Sequence, residues 1–180
     1  IRTDGTKAPE DRWTEFQQRQ PSIDELDAMF LHADGSQKDV GIGIVCGVAS
    51  GGLEVIDCDD HPFLAMLSLV DDSIRAKLTI VETPGGWHCL YRCREICGNR
   101  KLAMWEDPQS VSEKLGTHRQ GTAFKPIGKG VRIETRGQGG YIVGEGSPCS
   151  VHPSGLPYVH AFGWPMTNIQ TIEPSERQQL

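Results

Sequence analysis

Residues 53–60, LEVIDCDD, constrain this chain more than any other stretch: an apolar run stops abruptly at three acids, Asp57, Asp59 and Asp60. The run reads as a strand, and its end brings carboxylates together against their mutual repulsion. Two readings compete. Aspartates favour turns and helix starts, or a cation sits between them. Asp57 and Asp59 are two apart, so on a strand both leave one face, and such a pair suits a hard cation such as Mg2+ or Mn2+. Asp60 falls on the other face and fits the N-cap of a following helix.

The surroundings of that strand predict an α+β domain. PSIDEL carries a capping box, Ser22 with Glu25, and opens a helix over 22–32. DVGIGIVCGV (39–48) reads as a strand, the glycines at 51 and 52 as a turn, and LEVID as its hairpin partner. Phe63, Leu67, Val70 and Ile74 follow helical spacing and predict one helix over 61–76. KLTIVETP and WHCLYRC read as two strands joined by PGG. The polar segment 98–129 reads as loops contributing Arg100, Lys101, Lys114, Arg119, Lys125 and Lys129. GVRIETRG and GYIVGEG read as a second hairpin, and PYVHAFG as a last strand. Strands with interspersed helices and no regular βαβ alternation point to α+β.

Bulk properties exclude some functions. With 180 residues, 37% hydrophobic and 23% charged, the chain can bury a real core. A formal charge of −6 argues against nucleic-acid binding through overall charge and leaves a local basic groove as the route. No apolar run approaches membrane-spanning length, no signal peptide opens the chain, and a cytoplasmic location is expected. Ile1 in place of an initiator Met, and the polar end SERQQL, read as a segment of a longer protein, with 1–172 as the domain and 173–180 as the start of a linker. Cys89, Cys93 and Cys97 are four apart, which is not zinc-ribbon spacing; the six cysteines are expected to be reduced and to fill apolar positions, with no zinc.

Two further places carry chemistry. His88 follows the glycines Gly85 and Gly86, whose turn lets backbone approach a phosphate; the alternative is an ordinary hairpin turn and a half-buried His. Glu134 and Arg136, with Arg132, share a face of the strand RIETRG, which suits either a structural ion pair or a third metal ligand. Together, acids, Gly-Gly-x-His and a third acid beside an arginine are the parts of metal-dependent nucleotidyl transfer, in which two ions about 3.5–4 Å apart clamp the reacting oxygens.

The order and wording of VIDCDD, TPGGWHCLYR and IETRGQGGYIVGEGSPCSVHPSGLPY resemble the N-terminal domain of the bifunctional DNA primase/polymerases (prim-pols) of the archaeo-eukaryotic primase superfamily. The entry segment GTKAPEDRWTEFQQRQPSIDELDAMF and GNRKLA fit as well, so the resemblance spans nearly the whole chain. It implies an archaeo-eukaryotic primase-like catalytic core with mixed or antiparallel sheets and flanking helices. It implies that Asp57, Asp59 and Glu134 hold two Mg2+ or Mn2+ ions, that His88 contacts the incoming nucleotide's phosphates, with Gly85, Gly86 and Arg136 also binding the nucleotide, and that Arg136 and the glycines after it line the same cleft. Lys7 matches a family lysine of electrostatic role. Two departures stand out. The turn before His88 is one residue shorter than the usual Thr-Pro-Ser-Gly-Gly-x-His and lacks its serine, and Cys149 replaces a common proline.

The implied activity is template-directed addition of NTPs or dNTPs on single-stranded DNA template and primer, in replication of a phage, plasmid or integrated element, with a C-terminal helicase region in the full protein. Lys125, Lys129 and Arg132 are the expected DNA contacts. Two rivals remain at this stage: a catalytically weak single-strand-binding or replication-initiation module, and a metal-dependent nuclease.

Overall fold

The structure is a computed structural model describing residues 1–59, 62–104 and 131–180. Lys114, Arg119, Lys125 and Lys129, with most of the expected loop segment, and Asp60 lie outside the described residues.

Among the described residues, eight strands form two antiparallel sheets. They are β1 (Gly43–Val45), β2 (Leu53–Cys58), β3 (Thr79–Glu82), β4 (Trp87–Arg92), β5 (Arg100–Met104), β6 (Val131–Arg136), β7 (Tyr141–Val143) and β8 (Val159–Gly163). Six lie in one sheet in the order β5-β6-β2-β4-β3-β8, and β1 pairs with β7 in a second. Helices are α1 (Ile23–Phe30), α2 (Pro62–Leu67), α3 (Asp72–Arg75) and α4 (Pro174–Arg177). The architecture is α+β, as the pattern predicted.

Strand β2 is apolar on both faces because both faces are covered. Leu53 and Val55 join Leu90, Val81, Ile142 and Val143 in a core beneath the small sheet. Ile56 and Cys58 join Phe63 and Leu67 of α2, Ile80, Cys89 and Tyr91 in a second core. Alternation along a strand, period two, sends neighbouring residues to different cores.

Several expectations need correction. Segments 39–48 and 53–57 do not form a hairpin: they share only the bridge between Gly47 and Leu53, and β1 pairs instead with β7, Ile44 opposite Ile142. Positive φ at Gly47, Gly51 and Gly52 turns the chain out of one sheet and into the other, a conformation open to glycine without steric cost. The 131–143 segment likewise is not a hairpin, because β6 stays between β5 and β2 while β7 crosses to β1. The helix expected over 61–76 is two short helices. Asp71, in an extended conformation, accepts a hydrogen bond from the Ser73 N–H at 2.8 Å and starts α3 afresh; the spaced residues Phe63, Leu67, Val70 and Ile74 are nevertheless all buried. Finally, Arg100–Met104, expected as loop, is an edge strand on β6. It is almost wholly exposed, so no apolar period marks it in the sequence, and backbone pairing alone defines it.

The capping box is present: the Glu25 N–H donates to Ser22 Oγ at 3.2 Å, and the Ser22 N–H to Glu25 Oε2 at 2.7 Å. None of the six cysteines is in a disulfide; Cys46, Cys58, Cys89 and Cys93 are buried, and Cys149 is exposed. Residues 173–180, where a linker was expected to begin, pack on the domain. Arg177 bonds buried Glu54, Lys77 pairs with Glu176 at 2.6 Å, and Leu180 touches the α2 core. A cavity of about 300 Å3 lies under α1, walled by Trp13, Phe16, Leu26, Met29, Phe30 and Tyr141. It does not include the acids, so the candidate site is identified from charge and register rather than from concavity.

Candidate active site

Register across the large sheet assembles the site. Asp57 on β2 is the direct partner of His88 on β4 and of Glu134 on β6. Glu134 is in turn opposite Lys101 on β5, His88 opposite Val81 on β3, and Val81 opposite His160 on β8. Directly opposed residues of antiparallel strands project to the same face with Cβ atoms about 5 Å apart. Three residues distant in sequence therefore stand side by side, on the face that carries the small sheet.

The charges are mostly enclosed. The side chains of Asp57 and Glu134 are 16% and 17% exposed, and one guanidinium serves both: Arg136 donates to Glu134 Oε1 and brings Nε to 3.5 Å from Asp57 Oδ2. His88 Nε2 is 3.5 Å from Asp57 Oδ1, while its Nδ1 is buried without a hydrogen-bond partner among the described residues. Burial pushes the imidazole pKa of His88 down; Asp57 opposes this, and the positive charges of Arg136 and Lys7 reinforce it. His88 is thus neutral at physiological pH, able to donate one hydrogen bond rather than a charge.

Asp59 follows the last residue of β2, and its Oδ1 lies where a Cβ added to Gly85 would stand only 3.1 Å away. Glycine at 85 is what allows the turn at 83–86 to approach this acid. The same turn alters one expectation. Gly86's N–H is occupied within it, donating to Thr83 Oγ1 at 2.9 Å and sharing the Thr83 carbonyl at 3.3 Å, so it is not an open phosphate donor. Gly85's N–H has no acceptor among the described residues.

The sequence matches the family model for the N-terminal domain of bifunctional DNA primase/polymerases, Prim-Pol, over residues 3–170. The chain belongs to the Prim-Pol family. No individual curated protein matched it. Prim-Pol membership implies a DNA primase/polymerase nucleotidyltransferase acting on DNA and nucleotides, from a family that is generally metal-dependent. No helix among the described residues is long and apolar enough to cross a membrane.

The donor set was tested against that metal dependence. Among the described residues no group of three or more His, Cys, Asp or Glu stands ready to hold an ion. The chemistry nevertheless fits: Asp57, Asp59 and Glu134 offer hard oxygen donors, and Asp57 and Glu134, directly opposed and largely buried, have a single arginine between them. A hard cation would relieve that repulsion.

Of the other expected Prim-Pol site residues, Lys7 is exposed, with φ of 60°, and its charge reaches His88. Arg132 lies on β6 two residues before Glu134. One residue of the site was given no role in the sequence reading. Tyr158, the last residue of the third quoted motif and the residue before β8, packs its ring 6.0 Å from that of His88, and Asp57 and Asp59 both push its pKa up, after burial. The pairing of β8 with β3 brings it there.

Proposed function

We propose that this Prim-Pol domain carries out template-directed nucleotidyl transfer, starting or extending DNA strands from nucleoside triphosphates. Asp57, Asp59 and Glu134 would hold two Mg2+ or Mn2+ ions. When bound, such ions activate the attacking hydroxyl and take up charge on the departing pyrophosphate. The observation that carries the reading is the transverse row in which Asp57 stands between His88 and Glu134.

The chain's own groups divide the remaining work. Neutral His88 supplies one hydrogen bond to a phosphate oxygen, from the ring nitrogen that carries its proton. Gly85's N–H adds a second donor in the turn that also contains Gly86. Arg136 pairs with Glu134; were Glu134 to hold a cation, the guanidinium would be available to pair with phosphate. Lys125, Lys129 and Arg132 are assigned to the single-stranded template and primer, by phosphate contact. The reading extends to a cytoplasmic replication role for a phage, plasmid or integrated element, beside a C-terminal helicase region.

Primer extension with Mg2+ or Mn2+, with and without primer, tests this. The wild-type domain is expected to lengthen a labelled primer or make new strands, and Asp59→Ala to do neither. The Arg136–Glu134 pair, which occupies a required ligand, and the shortened turn with its occupied Gly86 N–H favour a binding module. Single-strand binding without any incorporation would establish that alternative, and shortening of the labelled strand would establish a nuclease.

A further inference from the structure

We propose that Tyr158 is a nucleotide-binding residue of this site, its phenol donating a hydrogen bond to a phosphate oxygen of the incoming triphosphate. The proposal rests on the nucleotidyl-transfer reading above.

Packing fixes the ring. Tyr158 is 6% exposed and shares a core with Val81, Leu90 and Val151. The pairing of Glu82 with Val159 and Val81 with His160 places it beside Thr83, where the glycine turn begins. A buried tyrosine normally bonds its hydroxyl to a protein group. That of Tyr158 makes no hydrogen bond among the described residues.

The ring lies 6.0 Å from that of His88, and Asp57 and Asp59 are close enough for their charges to act on the phenol, so the side chain borders the space around these three residues. A phenol, with an ordinary pKa of about 10, is protonated at neutral pH and has a proton to donate.

The chemistry favours an anionic oxygen as acceptor. Lysine or arginine at this position would pair with Asp57 and Asp59 and compete with a cation for them. A phenol adds a directional donor while leaving both carboxylates charged. With Asp59 reaching the turn at Gly85, the hydroxyl, the Gly85 N–H and His88 lie around the same space, suited to oxygens of one triphosphate.

The test compares wild type, Tyr158→Phe and Tyr158→Leu by titration calorimetry, using dATP and inorganic triphosphate, each with saturating Mg2+. Tyr158→Phe keeps the ring and is expected to bind both ligands about tenfold more weakly, the loss of one hydrogen bond to a charged group, with an unchanged melting temperature. In primer extension its KM for dATP rises more than its kcat falls. Tyr158→Leu is expected to lose at least as much affinity and, lacking the ring, to melt earlier. Wild-type affinity in Tyr158→Phe for both ligands overturns the proposal, as does weaker binding of dATP alone, which would move the hydroxyl to the sugar or base. Wild-type protein that binds neither ligand overturns the nucleotidyl-transfer reading itself.

Discussion

Strand β2 carries a buried carboxylate on one face and a partly buried one on the other, and the protein satisfies them unequally. Glu54, on the α2 side, is completely enclosed. It accepts from Tyr91 Oη at 2.7 Å, from Arg177 Nε at 2.5 Å and Nη2 at 2.8 Å, and from the Cys97 N–H at 3.2 Å. Asp57, three residues on, faces the small sheet. Among the described residues its neighbours, neutral His88 and the cation Arg136, stop at 3.5 Å, and a second carboxylate, Glu134, stands directly opposite. A buried charge is tolerated when its lone pairs are filled and is costly when they are not. Glu54 is therefore a fastening between the sheet and the C-terminal helix, whereas Asp57 is kept incomplete, as a site that takes a further partner must be.

That contrast is most easily broken at Asp57. Asp57→Ala should lower nucleotide incorporation about 10^4-fold, equivalent to about 5 kcal/mol of transition-state stabilisation, while the melting temperature without added metal holds or rises because repulsion with Glu134 is relieved. Near wild-type extension, or a large drop in melting temperature, would place Asp57 in the same category as Glu54.

Arg177→Ala should give the reverse pattern. Leaving Glu54 charged and unpaired inside the domain is expected to cost about 3–5 kcal/mol, read from denaturant midpoints, with specific activity of the folded protein retained. Tyr91→Phe sharpens the comparison on a smaller scale. It removes one of the four hydrogen bonds to Glu54 and should destabilise by about 1.5–3 kcal/mol, again without touching catalysis.

The smallest effect is a pH dependence at His88. Burial holds its folded pKa below the ordinary 6.5, so below pH 6.5 the unfolded chain binds the proton that the folded one refuses. Its stabilising contribution is present above pH 6.5 and is lost as pH falls toward the depressed folded value, at a slope of up to about 1.4 kcal/mol per pH unit. His88→Gln should flatten that slope in melts between pH 5 and 7; an unchanged profile would assign the acid sensitivity to the carboxylates instead.

The sequence by itself determined the local features of this protein. The capping box at Ser22, the strands around 53–58, 79–82 and 87–92, and the burial of Phe63, Leu67, Val70 and Ile74 all follow from side-chain spacing, which acts over a few residues. The motif order also carried the family and pointed to Asp57, His88 and Glu134. Tertiary structure decided which strand lies beside which. The two expected hairpins are in fact crossings between sheets, the first through positive-φ glycines at 47, 51 and 52 and the second through Gly139, whose conformation no neighbouring residue announces. The strand at Arg100–Met104 exists through backbone pairing on an exposed edge, so it leaves no apolar period to read. Pairing register likewise set Asp57 between His88 and Glu134 and brought Tyr158 to His88, from positions tens of residues apart. Backbone hydrogen bonds between strands are the same for every residue type, so side-chain pattern can predict a strand but not its partner.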